Sequence, residues 1–261
     1  MMTRFWARTL GAIVAAVALA ASATPAQAAF TYISAASEPW GVNSNIDAMN
    51  NAFGAGNWNR GFFSNAVANG VFNAGANQFI YIDGGNGTSG EFDAFVDSNR
   101  TLMENWVSNG GRLFMNAARW DQPVLDLGFG ATMTEGFSSN GMAVDPSNPI
   151  FDGSTGTSWT GTFFSHDVIT GNGLTPIITG DAGTVLASRN WGGGFVMLGG
   201  MTSTNFHSPA QESLNLRSNI LEFGAGDVNP TPAPAGIVLF GLGFAGMGLL
   251  RKFRKGKTAV V

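Results

Sequence analysis

The segment from Gln78 to Asn116 constrains the fold more than any other. Phe79-Ile80-Tyr81-Ile82 is an unbroken apolar run of strand length, and Asp83-Gly84-Gly85-Asn86-Gly87 turns the chain after it. From Glu91 to Ser108, Phe92, Phe95, Val96, Leu102, Trp106 and Val107 recur at helical spacing. An apolar stripe at that period gives a helix with one buried side. Asn109-Gly110-Gly111 stops it, because glycine takes the left-handed position after a helix at no steric cost. Arg112-Leu113-Phe114-Met115-Asn116 is the next strand. Two strands joined through a crossover helix pair in parallel, so the expected core is a parallel sheet.

The rest of the chain is read around that unit. Phe30–Ser34 alternates apolar and polar residues as a first strand, and Asn43–Phe53 carries Ile46, Met49 and Phe53 at helical spacing, with Asn43 or Ser44 as cap. Gly61–Asn69 reads as a short helix or a loop, Asp121–Leu127 as a short helix and Ala131–Glu135 as a strand. Pro146–Gly153 is turn-rich, and Ser154–Ser165 suits an edge hairpin. Thr175–Thr179, Thr184–Ser188 and Gly194–Leu198 are strands joined by short glycine turns, which suit antiparallel neighbours. Ala210–Phe223 is the last helix. The expected fold class is therefore α/β. It is a single three-layer domain with a mainly parallel sheet and some antiparallel edge strands, plus an N-terminal signal helix and a C-terminal transmembrane helix.

Both ends of the chain differ from this core. Arg4 and Arg8 precede the apolar run Leu10–Ala23, and Ala26-Gln27-Ala28 supplies a small-residue cleavage site. Charged, apolar and small-residue regions in that order make a secretory signal peptide. At the other end Ala235–Leu250 is uncharged and apolar, and Arg251, Lys252, Arg254, Lys255 and Lys257 follow at once. Cations just past an apolar run place that end in the cytoplasm. The division is signal peptide 1–28, extracytoplasmic domain 29–226, Pro-rich linker and sorting motif 227–235, transmembrane helix 236–250 and basic tail 251–261.

The tail order of Pro232-Ala233-Pro234-Ala235, then Gly236–Leu250, then the basic stop resembles the PEP-CTERM sorting signal of Gram-negative bacteria. Ala233 stands where that signal usually has Glu. The resemblance implies processing by an exosortase-type membrane protease. Delivery to the cell surface or extracellular matrix, alongside exopolysaccharide, follows. It specifies an address and no activity.

The core resembles a class I glutamine-amidotransferase-like or flavodoxin-like domain. The resemblance rests on FIYIDGG, WVSNGGRLFMN, NPIFDG, GGGFVMLGG and NLRSNILEF. That family places a Cys nucleophile on a sharp turn, here near Asn116-Ala117-Ala118, and this chain has no cysteine. The implied scaffold therefore comes without the implied hydrolysis. Lack of cysteine also leaves an exported chain without disulfides, so burial alone must stabilise it.

Charge narrows the partners. All 17 acidic residues lie between Glu38 and Asp227, with six Arg and no Lys among them, a balance of −11. Such a core repels phosphate backbones and excludes nucleic acid as a partner.

Candidate sites each have a plain structural alternative. Asp83, Asn86, Glu91, Asp93 and Asp97 are the densest oxygen donors, and Asp83, Glu91 and Asp93 are the set for a speculative Ca²⁺ site. The alternative is a solvated strand-to-helix loop with acidic residues at a helix start. His166 and His207 are the only histidines, with Asp167, Ser165 and Ser203 as possible acid–base or nucleophilic partners. No elbow motif surrounds either serine, and structural histidines are the alternative. Trp58, Trp120 and Trp191 sit beside Asn or Asp and suit stacking on sugar rings; their alternative is core packing. No residue is assigned as catalytic. The expectation is a non-enzymatic surface or matrix protein associated with exopolysaccharide. The competing readings are an extracellular hydrolase using His166 or His207 and a calcium-dependent adhesive module.

Overall fold

The computed structural model describes residues 30–75, 77–153 and 155–226. The expected signal peptide, sorting motif, transmembrane helix and basic tail all lie outside the described residues. In chain order the elements are β1 (Phe30–Ser34), α1 (Ser44–Phe53), β2 (Trp58–Phe62), β3 (Phe79–Gly85), α2 (Ser89–Ser108), β4 (Arg112–Ala118) and β5 (Leu125–Gly128). There follow β6 (Ala131–Ala143), β7 (Ser158–Gly171), β8 (Thr175–Gly180), β9 (Gly183–Trp191), β10 (Gly194–Gly199), β11 (His207–Ser208) and α3 (Ala210–Ala225). Short 3₁₀ turns at Pro39–Gly41 and Thr204–Phe206 matter for the site below.

All strands join one sheet in the order β11-β7-β6-β8-β9-β10-β4-β3-β1-β2, with β5 paired to β6. From β10 to β2 every neighbour is parallel. From β10 to β11 every neighbour is antiparallel.

The parallel half shows why its strands read as continuous apolar runs. Ile33, Ile80, Ile82, Leu113, Met115, Val196 and Leu198 face one side, under Phe92, Phe95, Val96, Met103 and Trp106 of α2. Phe30, Tyr32, Phe79, Tyr81, Phe114 and Met197 face the other, under Met49 and Phe53 of α1 and Leu216, Ile220 and Leu221 of α3. Alternation sends successive side chains to opposite layers, and both layers are dry. Each such side chain stabilises the fold by about 1.5–3 kcal/mol through burial. Within α2 it is Met103 that faces the sheet, while Leu102 is exposed. Gly110, at φ 102, makes the left-handed stop.

The expected fold class needs correction. The sheet is not mainly parallel with antiparallel edges; eleven strands against three helices make the described residues mostly sheet, and antiparallel ladders outnumber parallel ones. A parallel return needs a crossover of a dozen or more residues. After β5 the connections are mostly tight, and Asp181–Ala182 and Gly192–Gly193 each join neighbouring antiparallel strands as a hairpin. Asp121–Leu127, expected as helix, contains the start of β5, and the Ala131–Glu135 strand extends to Ala143 against a 14-residue β7. Trp58–Phe62 is an edge strand parallel to β1, and it takes in the start of Gly61–Asn69, which was expected as a short helix or a loop. No helix among the described residues is long and apolar enough to cross a membrane.

Candidate functional site

Two arginine clusters hold the carboxyl ends of the parallel strands. In the first, Arg217 of α3 places Nη1 3.1 Å from Asp83 Oδ2 and 2.6 Å from the Tyr81 hydroxyl, and Nη2 donates to the Thr202 carbonyl at 3.0 Å. Asn116 Nδ2 donates to Asp83 Oδ2 at 3.0 Å and to the Met201 carbonyl at 2.9 Å. The one Tyr81 hydroxyl proton is shared between Asp83 and Asn45 Oδ1, both within hydrogen-bond reach. Asp83, Tyr81, Asn116 and Arg217 are all buried. Burial raises the Asp83 pKa and pushes the Tyr81 hydroxyl well up, while the Arg217 charge opposes both shifts. The cluster is closed, and it ties α3 to β3 and β4.

The second cluster sits where β4 ends. Arg119 is buried and donates to Asp167 through its backbone N at 2.7 Å, Nε at 3.2 Å and Nη2 at 2.8 Å. Its remaining bonds reach Asp93 at 3.2 Å and the Pro123 and Met133 carbonyls. Burial raises the pKa of Asp167 and Asp93, with Arg119 acting against it. A fork held at this many points fixes the chain direction at residue 119. The next residue, Trp120, is thereby aimed outward, and it is 45% exposed.

Around Trp120 the structure assembles an aromatic cluster. Its centre is the buried ring of His166, from β7, within 5.0 Å of Trp120, 5.1 Å of Phe137, 5.2 Å of Trp40 and 5.4 Å of Phe163. Phe206 extends the cluster, 5.1 Å from Trp40 and 40% exposed. Trp40, Phe137 and Phe163 are half-buried. Trp40 stands at φ 62, a left-handed conformation that costs a non-glycine residue about 1–2 kcal/mol. Gly85 gives it room: a Cβ there would lie 3.0 Å from Trp40 Nε1 and 3.1 Å from the Ala118 carbonyl. Gly85, at the end of β3, thus serves close approach of the indole, and Gly84 beside it serves that of Phe92.

The His166 ring is asymmetric. Nδ1 is buried and has no hydrogen-bond partner. Burial lowers the His166 pKa, against the Arg119 backbone and the charge of Glu135, which favours the neutral imidazole. The arrangement offers flat apolar faces around one unpartnered ring nitrogen, at the carboxyl ends of parallel strands, where open sheets gather ligands.

The sequence-predicted residues fall in different places. Asp83 meets Arg217 and Asp93 meets Arg119, while Glu91 lies exposed in the first turn of α2. No group of three or more His, Cys, Asp or Glu able to hold a metal is found among the described residues. Trp58 is half-buried and donates to Asn50 Oδ1 at 3.0 Å, and Trp191 packs on Phe129 under Arg189. Of the three tryptophans, Trp120 alone joins the aromatic cluster. His207 is buried, with Nε2 2.8 Å from Thr202 Oγ1 and 3.1 Å from the Phe164 carbonyl, and burial lowers its pKa to about 3. Asn116-Ala117-Ala118 is interior strand, not an exposed turn. Trp40 and Phe206 escaped the sequence reading; the Pro-Trp-Gly turn at residues 39–41 was the available sign of an outward tryptophan. Two hollows of about 770 and 440 Å³ lie elsewhere, one lined by Phe72, Trp106 and Arg112 at the amino ends of β3 and β4, the other by Asn51, Asp152 and Glu222.

No family model matches the chain, and no curated protein matches it. Solved structures with partial likeness include a β-galactosidase from Bacillus circulans sp. alkalophilus, at TM-score 0.45 and 11% identity, covering 80% of this chain and 33% of that one. A β-galactosidase from Rahnella sp. R3 gives 0.45 and 16%, covering 87% and 36%. A cytoplasmic protein of Salmonella typhimurium gives 0.44 and 14%, covering 74% and 98%. This chain thus spans about a third of the length of the β-galactosidases it matches. Glycoside hydrolases recur among these neighbours, but scores below 0.5 at such identities assign no activity.

Proposed function

We propose that this chain is an exported cell-surface or matrix protein whose core binds polysaccharide through the aromatic cluster around His166. One observation carries the reading: five aromatic rings converge on one ordered face, with Trp120 and Phe206 exposed. Aromatic faces pack against the apolar faces of sugar rings, and a rigid ring loses little entropy in doing so. Export is supported by the signal-like start and the sorting motif at Pro232–Ala235. The test is co-sedimentation of the full chain with the producing organism's own exopolysaccharide, with Ca²⁺ and with chelator. Binding that persists in chelator and is lost in Trp120→Ala supports the reading. Binding lost in chelator overturns the aromatic site, and no binding overturns the polysaccharide reading.

A second reading, an extracellular glycan hydrolase, is favoured by the neutral His166 with its unpartnered Nδ1, which has the character of a general base. Release of reducing ends from the same polysaccharide, abolished in His166→Phe, supports it. Polymer recovered intact after prolonged incubation rules it out.

A further inference from the structure

We propose that the aromatic cluster takes an uncharged sugar residue, one hydroxyl of which hydrogen-bonds His166 Nδ1 while its ring lies against Trp120. The inference rests on the polysaccharide reading and names the class of sugar.

His166 carries the argument. Its ring is buried among four aromatic rings, and Nδ1 has no partner. A buried polar nitrogen left unpaired is costly, and a ligand that pairs it recovers that cost. A sugar hydroxyl both donates and accepts, so it pairs Nδ1 in either tautomer, and it stands beside an apolar ring face that matches the aromatic faces here. A carboxylate brings only acceptors and pairs one tautomer alone, and a quaternary ammonium pairs neither.

The charges around the cluster point the same way. Glu135 of β6 is exposed and accepts from the Asp121 backbone at 2.9 Å, so the rim is acidic. The nearest arginine in sequence, Arg119, already directs its guanidinium to Asp167, Asp93 and two carbonyls. Neither contact offers a uronic acid a counter-charge, and Glu135 repels it. Trp120 is the one exposed ring of the four that cover His166, and it is the side from which a ligand approaches.

The test uses the full chain and oligosaccharides of matched length. The probes are neutral glucan, galactan and mannan oligomers, oligogalacturonate and oligoglucosamine, with affinity read by calorimetry and by tryptophan fluorescence. At least one neutral oligomer is expected to bind and to change the fluorescence, with oligogalacturonate weaker by about tenfold or more. His166→Phe keeps an aromatic ring and removes the ring nitrogen, and is expected to weaken neutral binding by about tenfold. His166→Gln restores a donor and an acceptor and is expected to recover most of it. Thermal unfolding of each variant shows whether it is folded. A folded His166→Phe that binds as the parent does overturns the hydroxyl contact. Oligogalacturonate or oligoglucosamine binding as tightly as the best neutral oligomer overturns the uncharged class, on the unaltered chain and whether or not a variant folds. No binding of any probe overturns the polysaccharide reading itself, and the sugar class with it.

Discussion

Arg217 Nη1 sits 3.1 Å from Asp83 Oδ2, and 134 residues of chain separate the two. The pair joins the last helix to the end of the third strand inside a dry layer. Removing one member leaves the other charged and buried, which costs about 3–5 kcal/mol. Arg217→Met is therefore expected to lower unfolding stability by that amount in urea titration. Arg217→Met with Asp83→Leu is expected to cost far less than the two single changes added. Additive losses would contradict the pairing.

Arg119 and Asp167 make a second joint, between β4 and β7, with three hydrogen bonds to one carboxylate. Asp167→Ala is expected to lose about 3 kcal/mol or more of stability and to release the chain at Trp120. The distinguishing readout is a red shift and broadening of tryptophan emission at temperatures where circular dichroism still reports a folded chain.

Gly85 has extended backbone at φ −169, so its role is steric and not conformational. Gly85→Ala places a methyl against Trp40 Nε1 and the Ala118 carbonyl. Overpacking of this kind costs about 1–3 kcal/mol. Sugar binding is expected to fall more than stability does, because Trp40 moves away from His166. Gly87→Ala, where the added methyl meets nothing within 4 Å, is the control and is expected to behave as the parent.

His207 gives a pH dependence with a definite sign. Burial, helped by the nearby Arg217 charge, lowers its folded pKa from 6.5 to about 3. The unfolded chain then takes up a proton that the fold refuses. Its contribution is present above about pH 6.5 and is lost at about 1.4 kcal/mol per unit as pH falls toward 3. Asp83, Asp93 and Asp167, with raised pKa values, act in the opposite direction on acidification. The comparison that isolates His207 is therefore parent against His207→Gln, by urea unfolding from about pH 7 to about pH 4. The gap between them is expected to shrink with falling pH; parallel profiles would contradict the assignment.

The parts of the fold legible in the sequence are those whose signal is local. Phe30–Ser34 and the strand–helix–strand unit from Phe79 to Ala118 carry their period and stop signals within a few residues, and they form where expected. Trp58–Phe62 carries no such period; it becomes a strand because β1 lies beside it. The 13 residues of β6 persist as strand because β7 pairs along their length. The candidate site shows the same division. Trp120 was visible as a tryptophan beside an aspartate, but nothing in the sequence joins it to Trp40, Phe137, Phe163 and His166. Asp83 and Asp93 looked like oxygen donors near each other in sequence. Their actual partners are arginines at positions 217 and 119, on other elements.

Amino-acid order alone determined the charge and chemistry of this protein: no cysteine, and an acidic core without lysine. It also determined the parallel unit at its centre, because a helix-period stripe between two apolar runs has one way to close. Tertiary structure decided the balance of the sheet, the fate of the carboxylates and the aromatic face. Those depend on which distant residues share a dry space, where an unpaired charge is too costly to leave alone. Spacing along the chain carries no record of that proximity.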